Sequence, residues 1–106
     1  MAAFDTSLTP VASTPANTSN AALFTASADS SVIVDAANIG TALVAVRIGI
    51  TPSGGSVHWK LFDVPIDPAN ALIGLGPWFL QTGDAVTVRT DTADDATFSL
   101  TGVETS

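Results

Sequence analysis

Hydrophobic and polar residues alternate with a period of two from about residue 21 to the end of the chain. In the longest run, residues 42–50, every even position is apolar, so these side chains share one face of an extended strand. Similar alternation recurs near residues 31–38, 85–90 and 96–104. An amphipathic helix would instead repeat its apolar positions every 3.6 residues. The pattern predicts strands and no helix longer than a turn or two.

Turn-forming residues separate the apolar runs. Pro52, Gly54 and Gly55 favour a hairpin connection, and the polar segments 81–84 and 91–95 favour two further turns. The runs between the turns predict about eight strands, near residues 21–26, 31–38, 42–50, 56–62, 71–74, 78–80, 85–90 and 96–104. Strands of this number and spacing are typical of an antiparallel β-sandwich or jelly-roll, so the expected fold class is all-β.

The inward-facing positions of these strands predict the hydrophobic core. They are Val32, Val34, Val44, Val46, Ile48, Trp59, Val86, Val88, Phe98 and Leu100. Trp59 is included because it shares its predicted face with Val57 and Leu61, which makes core packing its expected role. His58 and Lys60 fall on the opposite, polar face of the same strand.

The first twenty residues differ in composition from the rest. They are mostly Thr, Ser, Ala, Asn and Pro, and Pro10 and Pro15 exclude a long helix. Their spaced apolar residues are Phe4, Leu8 and Val11. Two interpretations remain open, a disordered terminus and an extended arm that a partner orders. The chain is therefore divided into an arm, residues 1–20, and a β-sandwich domain, residues 21–106.

Residues 77–80 place consecutive large apolar side chains on both faces of one short strand. Core packing accounts for one face, so either a partner covers the other face or the strand is central and fully buried. Under the first interpretation Trp78 and Phe79 contact a partner. Together with the arm, the predicted partner-binding residues are Phe4, Leu8, Val11, Trp78 and Phe79.

Composition and charge exclude several classes of function. The chain has 106 residues, enough for one domain, and a formal net charge of −7 from 3 Lys+Arg and 10 Asp+Glu. An acidic protein does not suit a phosphate backbone, so no nucleic-acid partner is expected. The chain begins without a basic n-region, and no apolar run reaches the roughly 20 residues of a spanning helix. We therefore expect a soluble protein with no membrane partner.

Catalytic and metal-binding patterns are weak. There is no cysteine, and the single histidine, His58, is not part of a recognisable triad. Asp91, Asp94 and Asp95 offer oxygen ligands but lack the distal Glu of a calcium loop, which favours a solvated turn. Asp63 and Asp67 are interpreted as turn caps. The sequence therefore predicts no enzyme activity, no cofactor and no metal site.

Four segments carry a resemblance to a known family. They are Asn20-Ala21-Ala22-Leu23-Phe24-Thr25-Ala26, the alternating stretch 31–47, Pro77-Trp78-Phe79-Leu80-Gln81-Thr82-Gly83-Asp84-Ala85-Val86, and Phe98-Ser99-Leu100-Thr101-Gly102-Val103-Glu104. In this order they resemble small β-sandwich virion proteins of tailed bacteriophages, across nearly all of the chain after Asn20. These motifs are structural rather than catalytic. Gly76-Pro77-Trp78-Phe79 departs from the family, in which an aliphatic strand is more usual at this place.

The resemblance implies a non-enzymatic structural protein of the virion. A capsid decoration or cement protein is the leading expectation, and a neck, tail or fibre component is the alternative within the same class. The family also implies a homotrimer that contacts the major capsid protein or another virion protein, on the capsid surface or tail, after assembly in the host cytoplasm. From another class, a receptor-binding or carbohydrate-binding module remains open, because Trp78 could stack on a sugar.

Overall fold

The computed structural model describes residues 5–7, 11–15 and 18–105. All the secondary-structure elements assigned within these residues are β-strands. The strands are β1 (Asp5–Ser7), β2 (Val11–Ser13), β3 (Ala21–Thr25), β4 (Ser30–Asn38), β5 (Val44–Thr51), β6 (His58–Ile66), β7 (Ala71–Leu80), β8 (Ala85–Thr90) and β9 (Ala96–Thr105). The predicted all-β class is confirmed. The two predicted strands at 71–74 and 78–80 form one continuous strand, β7.

The strands form two antiparallel sheets that pack face to face. In the first sheet the order is β1, β9, β4, β7, and β2 pairs with a second stretch of β9. In the second sheet the order is β3, β8, β5, β6. The expected β-sandwich is therefore present, with β6 and β7 as edge strands.

The core lies between the sheets and is built from the inward positions of the central strands. Nine of the ten predicted core residues are at most 1% exposed. They are Val32, Val34, Val44, Val46, Ile48, Val86, Val88, Phe98 and Leu100. Alternation predicted these residues correctly because β4, β5, β8 and β9 keep a regular two-residue period along their buried faces.

The prediction for Trp59 is wrong, because a β-bulge in β6 changes its face. Ile48 pairs with Leu61, and the core packs against Leu61. The next residue of β5, Gly49, pairs with Trp59, which leaves Lys60 as an extra residue. A bulge of this kind reverses the side on which the following residues point. Trp59 is half-buried and lies outside the core cluster.

Two bulges in β7 explain why the sequence suggested two strands there. The register with β4 shifts between Val32 and Val34 and again between Val34 and Ala36. Gly74 and Gly76 occupy the corresponding stretches with φ of 68° and 116°, which glycine adopts at low cost. These glycines bend the strand without ending it. Because β7 is an edge strand, the alternative of a fully buried central strand is wrong.

The described parts of the first twenty residues pair with the same chain. Residues 5–7 pair with residues 103–105, and residues 11–13 pair with residues 98–100. The carbonyl oxygen of Pro15 accepts a hydrogen bond from the Asp94 backbone N–H at 2.8 Å. These segments therefore extend one edge of the first sheet.

Candidate functional site

An exposed apolar surface covers the outer side of edge strand β7. Leu72, Leu75 and Trp78 pack against the core, while Ile73 is 76% exposed and Phe79 is 79% exposed. Ile33 on the neighbouring strand β4 is 40% exposed. We call Ile33, Ile73 and Phe79 the β7 patch. Large apolar side chains exposed on a sheet edge are typical of interaction surfaces.

The five predicted partner-binding residues fall in different environments. Phe4 and Leu8 lie outside the described residues. Val11 and Trp78 are half-buried and pack against the core of their own chain, whereas Phe79 points away from it. Of the three that the structure describes, Phe79 therefore offers the largest apolar surface to a partner.

Sequence reasoning missed Ile33 and Ile73 as surface residues. Ile33 is flanked by buried Val32 and Val34, and Ile73 follows half-buried Leu72, so neither has a polar neighbour that marks the outer face. Both residues lie at odd positions, and the even positions beside them carry the inward-facing side chains. This alternation is the one sequence signal that could have identified them as surface residues. At Ile73 the bulge at Gly74 interrupts even that signal.

A cleft opens between the two free edge strands, β6 and β7. It has a volume of about 370 Å³, and its lining includes Ile50, His58, Lys60, Pro77, Trp78 and Phe79. His58 and Lys60 stand on β6, and the aromatic side chains stand on β7. Among the residues that the structure describes, no acidic side chain lines this cleft. The β6–β7 cleft therefore combines an apolar surface with basic groups on a chain that is acidic overall.

The free edges of β6 and β7 are poorly suited to pairing with another strand. Bulges interrupt both strands, and Pro65 and Pro77 lack the backbone N–H that a strand ladder uses. Bulges, prolines and an exposed lysine are the means by which proteins protect sheet edges. A partner at this side of the sandwich therefore binds mainly through side chains.

A polar and aromatic cluster lies on the outer face of the second sheet. The Arg47 guanidinium donates hydrogen bonds of 2.7 and 3.1 Å to the two carboxylate oxygens of Asp63. It also lies 3.9 Å from the ring centroid of Phe62 and 5.8 Å from that of Trp59. Asp63 is thus an ion-pair partner within β6, and its interpretation as a turn cap is wrong.

The ion pair shifts the acid–base behaviour of both partners. The hydrogen bond from Arg47 lowers the pKa of the Asp63 carboxyl, and the same bond raises the pKa of the Arg47 guanidinium. Arg89 lies directly opposite Arg47 in the register of β5 and β8. Since like charges at such positions repel, Asp63 reduces that repulsion. The cluster is explained as local stabilisation of the sheet.

The acidic turn at residues 91–95 is held by hydrogen bonds within the chain. One carboxylate oxygen of Asp91 accepts from the Ala45 backbone N–H at 3.0 Å and from the Thr92 hydroxyl at 3.2 Å. Asp94 adopts a positive φ of 64°. Across residues 11–15 and 18–104, no three acidic or histidine side chains are grouped as a metal site would require.

His58, the one histidine of the chain, is exposed and lines the β6–β7 cleft beside Lys60. The sequence pattern placed His58 on the polar face opposite Trp59, and this prediction is wrong, because the bulge at Lys60 pairs His58 with Ile50, which packs against the core. An imidazole in this position can donate to or accept from a ligand in the cleft. His58, Lys60 and the aromatic side chains of β7 together form a surface that suits the binding of a ligand.

No family model, no curated protein and no solved structure matches this chain. Within the part of the chain that the structure describes, no helix is long and apolar enough to cross a membrane. The β7 patch and the β6–β7 cleft are the surfaces of the described residues best suited to binding a partner.

Proposed function

We propose that the protein is a non-enzymatic structural subunit of a tailed-phage particle, most specifically a decoration or cement protein that attaches to the capsid. The assignment to a phage particle comes from the sequence resemblance, and the attachment is supported by the exposure of Ile73 and Phe79 on an edge strand, at 76% and 79%. Covering a side chain of this size contributes about 1.5–3 kcal/mol. Two such side chains on one strand supply the apolar centre of a docking surface.

The two short strands described within the first twenty residues, β1 and β2, change the proposed mechanism of attachment. Residues 5–7 and 11–13 already use β9 as their pairing partner. An arm that pairs with a neighbouring subunit would first have to release these hydrogen bonds. The proposal therefore assigns attachment to the β7 patch and leaves the N-terminal strands as part of the sandwich.

The first experiment asks whether the protein is a stoichiometric part of a particle. Purified virions of the encoding phage are analysed by quantitative mass spectrometry, and virions that lack the gene are heated beside them. The proposal predicts a fixed copy number and earlier heat disruption of the deleted particles. Absence from virions would contradict it. Binding of the isolated protein to glycans or cell envelope would support the receptor-binding alternative.

The second experiment tests the β7 patch with matched variants. Ile73→Asp places a charge in the proposed docking surface, and Ala22→Asp places the same charge on exposed edge strand β3 of the other sheet. Both variants are added to particles that lack the protein. We expect Ala22→Asp to reach the occupancy of the native chain and Ile73→Asp to lose at least about tenfold in affinity, because a charge would be buried without a partner. Equal occupancy would exclude the patch.

A further inference from the structure

A second apolar surface lies at the end of the sandwich that carries the connection between β4 and β5. Ile39 is 59% exposed and Leu43 is 56% exposed. We call Ile39 and Leu43 the apolar tip. The Ile39 backbone N–H donates to the carbonyl oxygen of Asp95 at 2.8 Å, which places the acidic turn 91–95 beside the tip.

Two segments that carry acidic residues lie at the same end of the sandwich as the apolar tip. Asp94 and Asp95 belong to the adjoining turn, and the carboxylate of Asp95 lies against Gly40. The connection between β6 and β7, which carries Asp67, reaches the same end, because the Asn38 backbone N–H donates to the Asn70 carbonyl oxygen at 3.0 Å. The end of the sandwich that carries the apolar tip therefore also carries carboxylates.

The β6–β7 cleft has the complementary character. Its aromatic and proline side chains provide an apolar floor, and His58 and Lys60 provide the basic groups. Of the 3 Lys+Arg of the whole chain, Arg47 is bound to Asp63. Lys60 makes no ion pair within the described residues. Its ammonium therefore remains available to a carboxylate from outside.

The two surfaces cannot meet within one chain. Leu43 directly precedes β5, while Ile50 near the other end of β5 lines the cleft. Seven residues of extended strand separate them, which corresponds to roughly 23 Å. The acidic apolar tip of one copy and the basic apolar cleft of another are free to meet.

We propose that copies of this chain associate head to tail, with the apolar tip of one copy docked in the β6–β7 cleft of the next. Ile39 and Leu43 contact Trp78 and Pro77, and the carboxylates at the same end face Lys60 and His58. The contact is made by side chains, which suits the bulged and proline-containing edges of β6 and β7. This inference concerns self-association and does not depend on the proposed attachment to a particle.

Such a contact joins two different surfaces, so it generates a closed ring or an open filament rather than a two-fold dimer. A trimer, the state that the family resemblance implies, is one ring of this kind. A contact between two different surfaces has a consequence that variants can test. Blocking either surface on every copy must stop assembly, but a copy with a blocked cleft still has an intact tip.

The test uses two variants of the full chain, alone and mixed. The cleft variant carries His58→Glu and Lys60→Glu, and the tip variant carries Ile39→Lys and Leu43→Lys. All four positions are exposed. Molar mass is measured by native mass spectrometry and by light scattering after size exclusion. Thermal melting checks that each variant is folded.

The native chain is expected to form oligomers larger than a dimer, and each variant alone is expected to be monomeric. An equimolar mixture is expected to form a one-to-one complex, because the tip of the cleft variant fits the cleft of the tip variant. A control with Ala22→Glu and Thr25→Glu on exposed β3 should assemble like the native chain. A monomeric native chain, variants that assemble alone, or a mixture that stays monomeric would each overturn the proposal.

Discussion

The centre of the sandwich and its β6–β7 side differ in how regularly their apolar residues alternate, although both belong to the same two sheets. In β5 and β8 the inward residues alternate regularly, and Val46, Ile48 and Val88 are completely buried. In β6 and β7 bulges interrupt the alternation, and Ile73 and Phe79 are exposed. Regular strands bury nearly all of their apolar residues. The irregular edge strands leave apolar residues available to a partner.

The first prediction tests this contrast with the same substitution type at two places. Val46→Asp puts an unpaired carboxylate into a completely buried site, which costs about 5 kcal/mol or more and should prevent folding. Ile73→Asp should leave the chain folded, because its side chain is 76% exposed. Circular dichroism during heating measures both. A cooperative transition in the Val46→Asp protein would contradict the assignment of the core.

The second prediction concerns the bulges of β7. A Cβ at Gly76 would lie 2.8 Å from the Val32 carbonyl oxygen, and its φ is 116°. We expect Gly76→Ala to lower the free energy of unfolding by about 3 kcal/mol. Gly54→Ala is the control, since Gly54 has a φ of 73° but open space around it, and it should cost about 1 kcal/mol. Equal urea midpoints for the two variants would show that the close approach in β7 is absent.

The third prediction separates Trp59 from the core. Trp59→Ala removes a half-buried ring beside Arg47 and Phe62, and it should cost about 1–2 kcal/mol. Phe98→Ala, at a completely buried site, should cost about 3–5 kcal/mol. Chemical unfolding of both variants measures the difference. A larger loss for Trp59→Ala than for Phe98→Ala would return Trp59 to the core and remove the bulge at Lys60.

The smallest expected effect is the pH dependence from Asp63. Because its pKa is lowered in the folded chain, Asp63 contributes stability above its unfolded pKa of about 3.9 and loses that contribution as pH falls through the lower folded value. Asp63→Asn should therefore be less stable than the native chain at pH 7, with the difference shrinking below about pH 4. Both carboxylate and guanidinium are solvent-exposed, so the effect is small. Urea midpoints across pH measure it, and a difference that grows toward low pH would contradict the ion pair.

The sequence predicted the fold class and the core of the central strands because regular alternation determines which side chains face inward. It failed at Trp59, since a single extra residue at Lys60 changes the face and no sequence feature marks the bulge. Gly74 and Gly76 were interpreted as a break in the strand, because a glycine in a bulge and a glycine in a turn look alike in sequence. The β7 patch and the β6–β7 cleft depend on which strands are edges, and the order of strands in a sheet is not a local property of the sequence.

The central claim is that the β7 side of the sandwich is covered in the assembled state. Hydroxyl-radical footprinting of the free protein and of the protein in purified virions measures this side chain by side chain. We predict that Ile73, which is 76% exposed and lies outside the β6–β7 cleft, is strongly oxidised in the free protein and protected in the virion, while Phe62, 56% exposed on the second sheet, is oxidised equally in both. Equal oxidation of Ile73 in the two states would contradict the account.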